Sequence, residues 1–354
     1  MTYRTAQPAA KKAAGAWQGG PRRPRALLLS LTSPTSSEPS SPPRPIYTPS
    51  PDDGRIVPPG WLDQAPVTRM LLALNVCIYF AELAVSHSAT TLLARPMLAM
   101  GESYPLATIG EGRYETLVTA CFLHAGVAHL AFNMIALWQA GPLVERAVGS
   151  ARMAPMYIVA GALGNLLSVL HGAGDTGVVP TLGASGAIAG VIGAALVVGW
   201  RTGGWHSPLT QSMAKWLGFV VVFGIVMNRA GGNIDNAAHL GGALSGAAIA
   251  SLWRRGARYS SAATAGVLAA CVAVLVGCVA LVAYHDRTDR FASRDLGARV
   301  AFTGEAVNDG NCADAQEGLA AVERLLPKRQ ATGTAGYLRR RVEETCGPPP
   351  ARAP

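Results

Sequence analysis

Long apolar runs separated by polar segments dominate the chain from about residue 66 onward. Seven runs are long enough, or nearly so, to cross a bilayer. A hydrocarbon core of about 30 Å needs about 20 helical residues. The runs occupy residues 67–85, 119–143, 153–170, 183–200, 216–227, 235–253 and 262–284. Their alternation with loops predicts an all-α, polytopic membrane helix bundle.

The flanks of these runs differ from them in composition. Residues 1–60 are rich in Pro, Ser, Arg and Ala, which predicts a disordered tail. We expect a six-helix core over residues 61–261, a seventh membrane helix over 262–284 and a C-terminal segment over 285–354. Within that segment, the apolar spacing of residues 314–326 predicts a small helix.

Composition and charge agree with a membrane protein. The hydrophobic fraction is 50% and the charged fraction 14%, whereas soluble domains carry about 25% charged residues. The net charge of +9 does not indicate nucleic acid as a partner, because no zinc-finger or RNA-binding motif accompanies it. Basic residues instead crowd the N-terminal tail and the loops after the second, fourth and sixth runs. This bias predicts a cytoplasmic N-terminus and, with seven spans, an extracytoplasmic C-terminus.

The six cysteines fall into two groups. Four of them lie in or beside apolar runs without a CxxC pair and are interpreted as small core residues. Cys312 and Cys346 share the C-terminal segment, where an oxidising compartment allows a disulfide; the alternative is two free thiols. No HExxH motif is present, so no zinc site is expected.

Polar groups inside membrane helices are costly, which makes each one a functional candidate. The second, fourth and sixth runs all cross the membrane in the same direction, so their N-terminal ends share one depth. His129 and Asn133 occupy one face of the second run, Ser185 begins the fourth, and His239 lies near the start of the sixth. Glu82 and Asn75 in the first run are interpreted as packing or interhelical contacts.

Ser185 and His239 suggest acyl-transfer chemistry. Gly183 before the serine allows a sharp turn into a helix, where developing negative charge is stabilised. Gly242 and Gly246 form a GxxxG pattern on the histidine's face, which permits close approach of another helix. If that helix is the fourth run, the imidazole can act as general base toward the serine.

The supporting groups are less specific. His129, Asn133 and the backbone N–H of Ser185 are candidate donors to an oxyanion, although the two side chains could equally form an interhelical hydrogen bond. Asp235 precedes His239 by four residues but lies at the membrane boundary, so we favour a Ser-His dyad over a triad.

Three motifs together resemble the rhomboid intramembrane serine proteases. They are FLHAGVAHLAFN in the second run, GASG in the fourth and AAHLGGALSG in the sixth, and the likeness covers residues 66–254. The resemblance implies a rhomboid-like six-helix core with the seventh span found in some members, and cleavage of transmembrane substrates without a cofactor. Its implied roles are nucleophile for Ser185, base for His239, oxyanion-hole groups for His129, Asn133 and Gly183, and structural roles for Glu145 and Arg146.

Two departures from the family pattern stand out. Glu115 and Thr116 occupy positions where the family commonly has Trp-Arg, which affects the anchoring of the first loop. Ala189 stands four residues after the serine, where many members carry an aromatic residue that packs on the histidine. We expect lowered activity or altered specificity from these changes rather than inactivity.

The sequence thus predicts an intramembrane serine endopeptidase in a lipid bilayer, in a bacterial plasma membrane. The main alternative is a catalytically weak or inactive rhomboid-like protein that binds membrane helices. A secondary transporter, with polar groups at depth, is a further alternative. The natural substrate and the oligomeric state are not determined by the sequence.

Overall fold

The computed structural model describes residues 64–86, 94–172, 180–254, 259–326 and 333–347. The tail expected over residues 1–60 lies outside these described residues. The described part is helical, apart from one isolated antiparallel bridge between Ser103 and Thr181. The predicted all-α class is therefore confirmed.

Twelve α-helices follow one another along the described chain. They are α1 Pro66–Val85, α2 Ala94–Ala99, α3 Thr116–Thr119, α4 Val127–Val148, α5 Ser150–Gly172, α6 Ser185–Gly203, α7 Pro208–Arg229, α8 Asn236–Ser251, α9 Ser261–Thr288, α10 Leu296–Asn308, α11 Cys312–Leu325 and α12 Thr334–Cys346. Short π-helical and 3-10 turns lie at Leu106–Gly110 and Ala120–Phe122, between α2 and α4.

Six of the described helices are long and apolar enough to cross a membrane: α1, α4, α5, α6, α7 and α9. They correspond to six of the seven predicted spans. The remaining one corresponds to α8, which has 16 residues and a length of about 24 Å at 1.5 Å per residue. The chain is thus a multi-pass integral membrane protein.

Two predicted spans have different boundaries in the structure. The second is predicted to begin at residue 119, but α4 begins at Val127, because the short helix α3 and a 3-10 turn occupy residues 116–122 and Gly126 is extended (φ 168°). The fifth was expected from residue 216, but α7 begins at Pro208. Proline is favourable in the first helical turn, where its missing N–H costs no hydrogen bond.

Helix α6 lies at the centre of the membrane bundle, whereas α9 lies at its edge. In the most apolar 18-residue stretch of each helix, 61% of the residues of α6 are buried but only 6% of those of α9. Accordingly, α6 contacts α4, α5, α7 and α8. The apolar surface of α9, which includes Val272, Val276 and Leu281, is left for lipid.

The last turn of α4 is tied to the start of α1 by Glu145. Its carboxylate accepts the backbone N–H groups of Val67 and Thr68 at 3.0 and 2.8 Å, and the hydroxyls of Thr68 and Ser150 at 2.8 and 2.6 Å. These N–H groups have no partner within a helix, so Glu145 caps α1 from a distant part of the chain. Arg146 follows it in the last turn of α4.

Helices α10, α11 and α12 form a C-terminal bundle around Leu319, Val322, Leu338 and Val342. The helix predicted over residues 314–326 corresponds to α11, which begins two residues earlier and ends one residue earlier. A disulfide joins Cys312, at the start of α11, to Cys346, at the end of α12. Of the two states left open by the sequence, the structure contains the bonded one.

Candidate active site

Ser185 is the first residue of α6, the central helix. Gly183, two residues earlier, has φ +122°, a conformation that side chains other than glycine rarely adopt. Its N–H donates to the carbonyl of Ala120 at 2.8 Å, which fixes the turn. The serine side chain is partly exposed, and it lies at the helix end where backbone N–H groups are available to a ligand.

His239 lies in the first turn of α8, close to the start of that helix. Asp235 is the N-cap: one carboxylate oxygen accepts the N–H of Ala238 at 2.8 Å and the other accepts the hydroxyl of Ser168 at 2.5 Å. The Nδ1 atom of His239 is buried and has no hydrogen-bond partner among the described residues. The aspartate therefore caps α8 and makes no hydrogen bond to the imidazole there.

Glycines bring α6 and α8 into backbone contact. A Cβ atom placed on Gly242 would overlap the carbonyl oxygen of Gly186, and one placed on Gly246 would overlap that of Gly190. A Cβ on Gly186 would lie 3.3 Å from the carbonyl oxygen of Ala238. Gly186 directly follows Ser185 and Ala238 directly precedes His239, so these two side chains begin on neighbouring turns of touching helices.

His129 and Asn133 lie beside the serine turn, on α4. A Cβ on Gly183 would be 2.8 Å from Nε2 of His129 and 3.8 Å from Nδ2 of Asn133. The Nδ1 atom of His129 accepts the N–H of Ala125 at 3.3 Å. In a neutral ring, Nε2 then carries the proton, so a donor is directed toward Gly183. The amide of Asn133 also donates to the backbone carbonyl of His129 at 3.1 Å.

Two residues outside the predicted site hold His129 and its loop. The ring of His124 is buried and meets the ring of His129 edge-on, with centroids 5.2 Å apart. The buried carboxylate of Glu82 on α1 accepts the backbone N–H of His124 at 3.1 Å. The sequence identifies Glu82 as a polar group in an apolar run, but only the fold shows that it meets the backbone of His124.

The unusual pair Glu115 and Thr116 is buried and hydrogen-bonded. Glu115 accepts Nε of Arg113 at 3.3 Å and Nδ1 of His285 on α9 at 3.0 Å. The hydroxyl of Thr116 donates to the carbonyl of Arg113 at 2.7 Å and accepts the hydroxyl of Thr108 at 2.9 Å. The first loop is thus anchored by contacts other than those of the Trp-Arg pair that is common in the family the sequence resembles.

Ala189, the second departure from the family pattern, is 1% exposed in the core of the bundle.

Among the described residues, no group of three or more His, Cys, Asp or Glu side chains is arranged to hold a metal ion. The candidate residues lie near the starts of three helices: His129 and Asn133 on α4, Ser185 on α6 and His239 on α8. Together these features define a class: a multi-pass helical membrane protein with Ser185 and His239 on two helices in glycine-mediated contact.

Comparisons with known proteins identify the family. The profile of the Rhomboid domain matches residues 111–256. Rhomboid protease GluP of Bacillus subtilis (strain 168) is 32% identical over 179 residues, which is 51% of this chain and 33% of GluP. Putative rhomboid protease YdcA of the same organism is 30% identical over 189 residues, which is 51% of this chain and 85% of YdcA. Rhomboid protease AarA of Providencia stuartii is 29% identical over 202 residues, which is 52% of this chain and 70% of AarA.

The chain therefore belongs to the rhomboid family, as the three motifs predicted. The matched part spans only 33% of the length of GluP but 85% of the length of YdcA. More than half of this chain, including all of α9 and the whole C-terminal bundle, lies outside the family profile.

Proposed function

We propose that this protein is an intramembrane serine endopeptidase that hydrolyses peptide bonds in or next to transmembrane helices. Ser185 is the nucleophile and His239 the general base of a dyad. The contact between α6 and α8 at Gly186 and Ala238 is the observation that carries this proposal, because it brings the starts of both helices together.

The reaction follows from these two groups. Ser185 Oγ attacks the scissile carbonyl while the imidazole of His239 takes up the hydroxyl proton. When the tetrahedral intermediate collapses, the C–N bond breaks and the imidazolium returns this proton to the leaving amine. Water then hydrolyses the acyl-enzyme, with His239 again acting as base. No cofactor takes part in any step.

Three donors are available to the oxyanion formed in the first step. They are the backbone N–H of Ser185, the Nε2–H of His129 and the amide of Asn133. The imidazole and amide lie within 4 Å of a Cβ position on Gly183, and a side chain there would fill the space between them and the serine turn. Glycine at this position thus keeps open the volume in which developing charge is stabilised.

The substrates we propose are membrane proteins whose helices reach the site from the bilayer. The relatives named rhomboid proteases support this class of activity. From loop charge we propose a cytoplasmic N-terminus and an extracytoplasmic C-terminus in a bacterial plasma membrane. Glu145 and Arg146 are proposed to serve structure rather than chemistry.

Cleavage of a model transmembrane substrate by the purified, detergent-solubilised chain tests the dyad. We expect Ser185→Ala and His239→Ala each to lower kcat/KM by on the order of a thousandfold or more, since dyad members act as a unit. Ser245→Ala is a matched control, because its hydroxyl donates only to carbonyls of its own helix α8, Gly241 at 2.7 Å and Gly242 at 3.0 Å.

Retained cleavage in Ser185→Ala would refute the proposed nucleophile. A folded native chain that cleaves none of several substrates, but binds a transmembrane peptide, would instead support the alternative of an inactive rhomboid-like protein. The observation that favours this alternative is that the buried Nδ1 atom of His239 has no hydrogen-bond partner among the described residues, so no such bond orients the imidazole.

A further inference from the structure

A buried ion pair joins the C-terminal bundle to the connection between α1 and α4. Arg299 on α10 is 0% exposed, and its guanidinium binds the carboxylate of Glu111 at 2.6 and 3.2 Å. Its other N–H groups donate to the carbonyls of Arg294, Phe291 and Ala321 at 2.9, 2.8 and 3.1 Å. All five donors of the arginine are therefore used, which a buried guanidinium requires.

Further contacts surround this ion pair. Arg113, beside Glu111 in the same connection, donates to the carbonyl of Ala292 at 2.5 Å. Leu98, Tyr104 and Ala107 form an apolar cluster with Leu325 of α11. The bundle and the segment that precedes it are thus fixed to the connection by an ion pair, a hydrogen bond to a backbone carbonyl and apolar packing.

The same connection holds the turn that carries Ser185. Ser103 and Thr181 exchange two backbone hydrogen bonds, at 3.3 and 2.8 Å. The N–H of Gly183 donates to the carbonyl of Ala120 at 2.8 Å. Thr181 and Gly183 precede Ser185 by four and two residues, so a shift of the connection is transmitted to the start of α6.

The connection is itself internally linked between these two ends. The hydroxyls of Ser103, Thr108 and Thr116 form a chain, at 3.2 and 2.9 Å, that ends on the carbonyl of Arg113 at 2.7 Å. Contacts therefore run without a gap from Arg299 through Glu111 and its neighbours to the serine turn.

We infer that the C-terminal bundle positions the active site, and that Arg299 acts as a positioning residue through Glu111. The inference rests on the proposed function for its catalytic consequence, and on the contacts above for the coupling itself. Displacement of a reacting group by about 1 Å can cost about a hundredfold in rate. Loosening the bundle is therefore expected to lower kcat rather than to raise KM, because the contacts lead to the turn that carries the proposed nucleophile.

The test uses the full chain in detergent with Arg299→Met and Glu111→Gln. Arg290→Met is the control. Arg290 is 40% exposed and pairs with Asp314 and Glu317 of α11, so its loss removes an ion pair at the bundle without touching Glu111. We expect both test variants to lower kcat about tenfold or more with KM little changed, and the control to match the native chain. Combining the two test substitutions is expected to cost less than the sum of their separate effects, because neither charge is then left buried alone.

Hydrogen exchange at the amides of Thr181 and Gly183 gives a second readout that does not need activity. Faster exchange in both test variants, but not in the control, supports the coupling. If Arg299→Met does not fold, Glu111→Gln alone decides. Unchanged exchange and unchanged kcat in a folded variant overturn the inference, and so does an equal fall in the control. A native chain that never cleaves, with exchange still responding, refutes the proposed function while supporting the coupling.

Discussion

At the residue scale, buried charged side chains are stabilised by hydrogen bonds that offset the cost of removing them from water. Glu145 accepts four hydrogen bonds and Arg299 donates five, so each ion is compensated where it lies. Glu102, in the connection between α2 and α3, differs from them in its protonation state. It is 6% exposed, and burial raises the pKa of its carboxyl to about 8.

The raised pKa of Glu102 predicts a pH-dependent stability. The unfolded chain ionises this group near pH 4.5, whereas the folded chain holds it protonated up to about pH 8. Its contribution to stability is therefore complete below pH 4.5 and is lost as the pH rises through 8, with a slope of at most about 1.4 kcal/mol per pH unit. Thermal unfolding of the native chain and of Glu102→Gln between pH 5 and 9 measures it.

We expect the glutamine variant to unfold at a temperature that depends less on pH and to exceed the native chain in stability at pH 9. Equal pH profiles for the two proteins would contradict the prediction. Asp286→Asn, on the exposed end of α9, is the control for the general effect of removing one carboxylate.

Glycine decides at the element scale which helices touch. In α6 and α8 the absence of side chains lets backbone meet backbone at Gly186, Gly190, Gly242 and Gly246. Lipid offers no hydrophobic gain for helix association, so close van der Waals contact supplies much of the driving force. Gly277 on α9 has no atom within 4 Å of its Cβ position, so the same residue type there has no such role.

Alanine substitution separates these two kinds of glycine. A Cβ on Gly246 would overlap the carbonyl oxygen of Gly190, so Gly246→Ala is expected to destabilise the protein by about 1–3 kcal/mol. Gly277→Ala, the matched control, is expected to be neutral or stabilising by up to about 1 kcal/mol through helix propensity. Thermal unfolding in detergent measures both. A Gly246→Ala variant as stable as Gly277→Ala would show that α6 and α8 need no such contact.

At the scale of the whole molecule, a small C-terminal bundle packs against the connection between α1 and α4 of the membrane bundle. The C-terminal bundle has a short apolar core around Leu319 and Val322. Its disulfide closes a loop with a sequence separation of 34 residues. Small helical units gain much of their stability from such cross-links, because a cross-link restricts the unfolded chain.

Reduction of the bond between Cys312 and Cys346 is expected to destabilise the C-terminal bundle by about 4 kcal/mol by loop entropy. Hydrogen exchange of α10, α11 and α12 with and without a reductant measures the change. The double variant Cys312→Ser with Cys346→Ser should behave like the reduced chain, whereas Cys77→Ser, which removes a free thiol, should not. Unchanged protection of the three helices after full reduction would contradict this prediction.

Much of the helical architecture could be predicted from the sequence. A membrane helix satisfies its own backbone hydrogen bonds, so an apolar run of sufficient length determines the element locally. The predicted spans therefore match helices in the structure, although the predicted starts of the second and fifth differ by eight residues each from those observed. Those errors arose where the hydropathy pattern alone could not separate loop from helix.

The candidate site was accessible to sequence reasoning for a related reason. A polar residue in an apolar run is conspicuous, and spans that cross in one direction place their starts at one depth. These two features point to Ser185, His239, His129 and Asn133, and the structure places each near the start of α4, α6 or α8. Their roles in catalysis remain predictions.

The helical class, the membrane setting and the family can all be read from the amino-acid sequence, because each rests on patterns within one segment or on motifs in order. The central place of α6, the bond between Cys312 and Cys346, and the contact of Arg299 with Glu111 across 188 residues are visible only in the folded chain. Such contacts depend on how helices pack and where loops return. No periodicity within a segment records them, since the partner of a buried group is set by the fold as a whole.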